Sequence, residues 1–257
     1  MTTLSETAYP RLKADPSLKE LRDVYTPTEA EIEFVKGVIQ RPLSRLAVLI
    51  HLKIFQRLGY FAVLRDVPDT IKQHIGKEAG YLKMPPADQL NDYDTSGSKR
   101  SHIALLRQYL DVRILDDAGR TWLRSVAEEA AEIKNSVPDI INVMLEELIR
   151  HRYELPGFTV LERMAQRARE EVNSGYFESI SEALTPATKA LIDELLVVPP
   201  GALHSGWEAL KREPKKPTNG EVRQYLQHIR HLKHLAQQFP LVPIPVPKLR
   251  FFRYMAL

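Results

Sequence analysis

Cysteine is absent from the 257 residues, which excludes disulfides, thiolate metal sites and a cysteine nucleophile and fits a reducing compartment. Long apolar runs are missing too, so no membrane-spanning helix is expected. The opening MTTLSETAYPRLKADPSL has none of the basic start, apolar middle and small-residue cleavage site of a signal peptide. The cytoplasm is the expected location. Charge of one sign is not in strong excess: 36 Lys and Arg face 33 Asp and Glu, a formal +3. Such mild basicity does not identify a nucleic-acid binder, so the placement of the charges has to decide. GKEAG and SGSK lack the full phosphate-loop pattern, and no nucleophile, base and orienting group converge. No enzyme, cofactor or small-molecule substrate is expected from these residues.

What is present is apolar residues three and four apart, with readable helix starts and hardly any strand pattern. In TPTE, Thr26 offers a cap, Pro27 a first helical residue and Glu29 a capping partner, which predicts a helix from Pro27 to about Gln40. Leu43 to Leu58 is apolar on most sides and reads as a central bundle helix closed by Gly59. Another helix is expected near Pro68, with Ile71, Ile75 and Ala79 on one face. The proline- and acid-rich stretch Met84 to Lys99 reads as a linker and a domain boundary. Helices follow at about Arg100 to Leu110, Asp117 to Lys134, Pro138 to Arg152, Val160 to Val172 and after Thr185-Pro186. VVPPGALHSGW is a second linker candidate, and Thr218 to Glu221 caps a helix reaching about Gln238. The end, FPLVPIPVPKLRFFRYMAL, reads as an extended strap and the start of a helix, as if cut inside a larger protein. The expected fold is all-α, in consecutive small helical modules over 1–90, 99–197 and 205–257, the last a basic, truncated third domain.

LIRHRYELPGFTVLERMAQRAR, Leu148 to Arg169, carries the most pointed signal. Thr159 and Glu162 form a capping box after a Pro-Gly corner, with Leu161, Met164, Ala165, Ala168 and Val172 on one helical face. Arg163, Gln166, Arg167 and Glu170 fall opposite, with Arg169 at the margin. Arg and Gln can pair with purine edges, and Arg150, His151 and Arg152 on the preceding helix can meet phosphates. The pattern fits a helix-turn-helix near 138–172, although most arginine-bearing amphipathic helices are simply the solvated face of a helical hairpin. Two other basic surfaces join it. The first module offers Arg41, Arg45, Lys53, Arg57, Lys72, Gln73 and Lys77, which also fit snorkelling bundle cations. Lys99, Arg100, Ser101, His102 and Arg107 lie at the linker exit and belong with the second module. The third offers Lys211, Lys215 and Lys216 in KREPKKP, with Arg223, Arg230 and Lys233 on the helix that follows, suited to gripping backbone rather than reading sequence.

Several sharper patterns take the bland reading. HIRHLKH spaces three histidines by three, yet no carboxylate accompanies them and no metal site is expected. Glu128-Glu129, Glu146-Glu147 and Glu170-Glu171 are helix neighbours about 100° apart and do not converge.

From Tyr25 onward an ordered series of segments carries a family resemblance: YTPTEAEIEFV, RLAVLIHLKIFQRLGYF, VPDTIKQHIGKEAG, SHIALLRQYLDVR, LPGFTVLERMAQRARE, LTPATKALIDELL and PVPKLRFFRYMA. The sequence resembles the N-terminal region of transposases of the Tn-three family, which move bacterial transposons by cointegrate formation. That resemblance implies helical DNA-binding domains that recognise terminal inverted repeats in double-stranded DNA at the bacterial nucleoid. It also implies an RNase H-like catalytic domain located elsewhere, so no catalytic residue carries over, and DNA-contact assignments rest on the local reading alone. Homodimerisation of the full-length protein stays open. Two other functions also stay open: a helical interaction or dimerisation scaffold, and a stand-alone repeat-binding repressor.

Overall fold

The computed structural model describes residues 4–211, 218–239 and 241–255. In chain order its helices are α1 (Leu18–Glu20), which runs into a π-helical turn at Leu21–Tyr25, α2 (Glu29–Val38), α3 (Pro42–Leu58), α4 (Asp69–Glu78), α5 (Ala87–Thr95), α6 (Gly97–Leu110), α7 (Asp117–Ile133), α8 (Val137–Arg150), α9 (Phe158–Ala183), α10 (Pro186–Leu196), α11 (Gly206–Leu210), α12 (Asn219–Ala236) and α13 (Val246–Met255). Among the described residues the only extended pairing is an isolated parallel bridge between Arg113 and Tyr153, so the fold is all-α. None of the described helices is long and apolar enough to cross a membrane. The chain divides into two compact units, Met1–Arg169 and Glu170–Leu257.

The first unit is built around α3. Pro42 occupies its first turn, where a missing N–H costs nothing, and Gly59 ends it with φ 75°. Leu46, Ile50, Leu52 and Ile54 are fully enclosed, as a helix apolar on most sides requires. α2 starts later than the sequence suggested. Thr28, not Thr26, is its cap: Thr28 Oγ1 accepts from Glu31 N, and the Glu31 carboxylate accepts from Thr28 N. TPTE and TEAE both carry the capping pattern, and the second wins because the Glu31 carboxylate is also anchored from α3. Thr26 lies instead 2.8 Å from His74 Nε2.

The stretch expected to be a linker is helical. α5 inserts Leu90 and Tyr93 into the core that holds α3 and the Ile103 and Leu106 side chains of α6. Its prolines precede the helix, and its apolar residues three apart supply the buried side that the acidic, small-residue composition hides. The boundary expected between 90 and 99 therefore falls inside one packed core.

α7 and α8 form a hairpin across the short connection 134–136, with Leu123, Ala127 and Ala131 of one and Ile140, Ile141, Met144 and Leu148 of the other buried. The connection 151–157 that follows α8 is stitched on both sides. Arg113 N donates to Arg152 O and Glu154 N to Arg113 O, while Leu155 N donates to Gly59 O at 2.8 Å. Trp122 stacks on Tyr153 with centroids 5.3 Å apart. Tyr9, from the N-terminal arm, donates its hydroxyl to Pro156 O.

Gly59 joins the two halves of the unit. A Cβ there would lie 3.1 Å from Leu155 Cδ1, on a residue whose φ of 75° already disfavours side chains. Gly59→Ala is expected to cost the full chain about 1–2 kcal/mol, read as a lowered urea midpoint. An unchanged midpoint would show that the Leu155 corner re-seats without loss.

In the second unit, which begins within α9, Thr185 caps α10 and Thr218 caps α12 as the sequence suggests. Lys248, in the first turn of α13, is fully buried with its ammonium 2.7 Å from Asn173 Oδ1 on α9. Phe252 packs on Phe177. Along α12, Val222, Leu226 and Ile229 stay exposed, and Leu235 is buried.

Candidate nucleic-acid interface

α9 begins at Phe158, so Thr159 sits inside the first turn rather than at the cap, and Gly157 O takes the first helical N–H groups, from Val160 and Leu161. The helix runs on to Ala183, well past Val172, because no proline or αL residue interrupts it before Pro186. Along its first half Leu161, Ala165 and Ala168 are buried, while Arg163, Arg167 and Glu170 are exposed and Gln166 and Arg169 half-buried. Arg163 Nε donates to Thr159 O at 3.2 Å, one turn back. The outcome is an amphipathic helix whose outer face offers guanidinium and amide donors.

The arginines around the 151–157 connection are held by partners. Arg107 Nε donates to Glu154 at 2.8 Å, with its guanidinium over the Phe61 ring. Arg152 pairs with Asp111 at 2.7 Å, and both residues carry positive φ. Arg150 pairs with Glu147 on its own helix. Such pairs fix where a guanidinium stands but leave donors over, since each has five N–H groups. Arg113, which sequence pattern alone does not single out, donates to His151 O and lies over Tyr153 at 4.4 Å. Arg120 and Arg124 are exposed four residues apart on α7; that spacing is a legible signal of one shared face.

Elsewhere in the first unit the cations divide. Arg41 and Arg57 are exposed, as are Gln73 and Lys77 on α4 and Arg100 and Ser101 on α6. Arg45 is half-buried and donates to Ile39 O at 2.6 Å. Lys53 is 6% exposed, with its ammonium 3.3 Å from Glu31. It sits inside the bundle, where no duplex reaches it, because the buried Glu31 carboxylate takes its ammonium. Lys72 is also buried along its stem and pairs with Asp69 at 2.7 Å. Contrary to the surface role the sequence suggested, Lys53 is an interior cation and Lys72 a stem-buried one, and both leave the candidate contact set.

The start of α6 is wired to the core. Lys99 Nζ lies 2.6 Å from Asp94 Oδ1, and Leu64 N donates to Asp94 Oδ2 at 2.6 Å. Burial pushes the Asp94 carboxyl up, yet His51, Lys99 and the Leu64 N–H together outweigh it and hold the group down at about 2. Tyr93 Oη is 2.8 Å from His102 Nδ1. Neither Asp94 nor His51 stands out in the sequence, since they lie 43 residues apart and Leu64, another anchor of Asp94, is 30 residues away.

In the second unit Lys211 is exposed with its ammonium over Trp207 at 5.5 Å, and Arg223 and Arg230 are exposed on α12. Lys215 and Lys216 lie outside the described residues. His228 Nε2 stands 2.9 Å from Leu210 O, and among the described residues no three His, Cys, Asp or Glu side chains gather as a metal site would require.

Comparison with known proteins gives this arrangement a family. Residues 1–168 match the family described as a domain of unknown function (DUF4158). The chain is 26% identical over 249 residues to the transposase for transposon Tn501 of Pseudomonas aeruginosa, an alignment covering 94% of this chain and 24% of that protein. It is 23% identical over 217 residues to the transposase for transposon gamma-delta of Escherichia coli (strain K12), covering 83% of this chain and 21% of that protein. The chain thus spans less than a quarter of the length of the relatives it matches. It belongs to the DUF4158 family, and over most of its length it is similar to part of those two transposases.

Proposed function

We propose that this chain binds double-stranded DNA and recognises the terminal inverted repeats of its transposon. The carrying observation is α9: a buried face of Leu161, Ala165 and Ala168 sets Arg163 and Arg167 outward on a rigid helix. In this reading α8, the 151–157 connection and α9 act as a helix-turn-helix, with Arg163, Gln166 and Arg167 at base edges in a major groove. Arg150, Arg152, Arg107, Thr159 and Arg169 flank it on phosphates, and Lys99, Arg100 and Ser101 do the same from α6. Arg41, Arg45, Arg57, Gln73 and Lys77 add backbone contacts. Lys211, Arg223 and Arg230, with Lys215 and Lys216, give the second unit a general grip. Tethering several weak sites raises their effective concentration, so no single site has to be tight. The setting is the bacterial cytoplasm and nucleoid, and cleavage and joining belong to an RNase H-like domain outside this chain.

Fluorescence anisotropy of the full chain with a repeat duplex and a scrambled one, across a salt series, tests this. Preference for the repeat by at least about a hundredfold, falling steeply with salt, is expected. Equal binding to both would reduce the role to general affinity. Failure to bind either would leave the protein-interaction scaffold.

A further inference from the structure

His51 sits at the centre of α3 with 0% exposure, and among the described residues neither ring nitrogen has a hydrogen-bond partner. A buried polar group left unpaired destabilises the fold, so its retention calls for a reason. Its nearest charge is Asp94 on α5, whose Oδ1 is 3.6 Å from Nε2, too far for a hydrogen bond and close enough for a strong charge interaction. The same oxygen is held by Lys99 at 2.6 Å, and the Lys99 side chain is 24% exposed. A line therefore runs from solvent through one ammonium and one carboxylate to an imidazole that has no hydrogen-bond partner.

We infer that His51, Asp94 and Lys99 couple phosphate engagement at the start of α6 to the uptake of a proton by His51. The inference rests on the DNA-binding reading and adds its regulation. In the free protein Lys99 neutralises Asp94. A phosphate that draws the Lys99 ammonium outward leaves Asp94 enclosed with a single neighbour able to become a cation. A solvent proton then adds to the His51 ring, and the imidazolium replaces the ammonium as partner of the carboxylate. Charge inside the bundle is conserved, while one positive charge has been delivered to the DNA.

The surroundings support the direction. Burial is the largest influence holding the imidazole below its ordinary range, the Lys99 charge pushes the same way, and Asp94 opposes both. Removing Lys99 cancels one of the two depressing influences and leaves the raising one. Other groups around the ring do not take this role. Tyr93 is engaged with His102, Phe61 meets the imidazole edge-on without charge, and Lys53, two residues along α3, spends its ammonium on Glu31.

The test is calorimetric titration of the full chain with a mixed-sequence duplex of about 30 base pairs, three helical turns, in buffers of different ionisation heat near neutral pH. Wild type is expected to take up a proton on binding and to bind more tightly as pH falls, by up to about tenfold per pH unit. His51→Phe is expected to bind equally well at high pH and to lose that uptake. As an arm without DNA, Lys99→Met is expected to raise the pH at which the His51 ring titrates by NMR. Binding with no proton uptake, or with uptake unchanged in His51→Phe, overturns the coupling and leaves DNA binding standing. Absence of any binding heat or complex removes the DNA reading, and the coupling falls with it. A His51 titration indifferent to Lys99→Met overturns the wiring itself.

Discussion

Glu31→Ala is expected to destabilise the first unit by about 3–5 kcal/mol, lowering the urea midpoint of the full chain by roughly 1–3 M. Glu31 ties two helices through three donors: it accepts from Thr28 N at its own helix start, and from Gln56 Nε2 at 2.6 Å and Lys53 Nζ, both on α3. Removing it strands the Lys53 ammonium where water cannot replace the partner. Lys53→Met is expected to cost less, because the methionine keeps the packing and Glu31 keeps two neutral donors. The pH dependence has a definite sign. Burial raises the Glu31 carboxyl, but the Thr28 N–H, Gln56 and Lys53 outweigh it and hold the group below its usual 4.5. Asp94 is likewise held at about 2. Both contribute stability that is fully present above their unfolded pKa values near 4 and is lost as pH falls through the folded ones. Acid unfolding of wild type below pH 4 should thus soften in Glu31→Gln, whose side chain has no such proton to bind. A wild-type-like midpoint for Glu31→Ala would sink the claim that this carboxylate is enclosed.

The contrast between Glu31 and Lys53 shows what local sequence carries. The body of α3 was legible: apolar residues on most sides, a proline in the first turn and a glycine at the end fix a central helix from one segment alone. The outer face of α9 was equally legible, because Leu161, Ala165 and Ala168 repeat at helical spacing and leave Arg163 and Arg167 outside. Lys53 was not. A cation in an apolar helix reads the same whether it snorkels to solvent or meets a carboxylate inside, and Glu31 lies on another helix. The same holds for Asp94, which seemed one more acid in a linker. α5 was hidden because loop-like composition and helical spacing coexist there, and Leu90 and Tyr93 acquire their meaning only against α3 and α6. The starts of α2 and α9 slipped by one or two residues where two threonine-based caps competed or where a glycine carbonyl sufficed.

The double substitution Arg163→Ala with Arg167→Ala is expected to weaken binding to the terminal repeat by about a hundredfold or more, with little change in folding. Both side chains are exposed on the face of α9 opposite its buried residues, so their removal opens no cavity, and circular dichroism should match wild type. Each guanidinium that pairs with a guanine edge is worth about 1–3 kcal/mol of discrimination, and two independent pairings multiply their factors. The scrambled duplex separates the roles. If the arginines read bases, the loss falls on the repeat and the preference for it collapses, while the salt slope changes little. If they hold phosphates, both duplexes weaken together and the slope drops by about one for each phosphate no longer neutralised. Conservative replacement sharpens the result: Arg163→Lys keeps the charge and loses the planar fork, so it should behave like alanine in base reading and like arginine in phosphate binding. Unchanged affinity for both duplexes would take α9 out of the interface and turn attention to Arg120 and Arg124 of α7, another exposed pair of arginines on a single helical face.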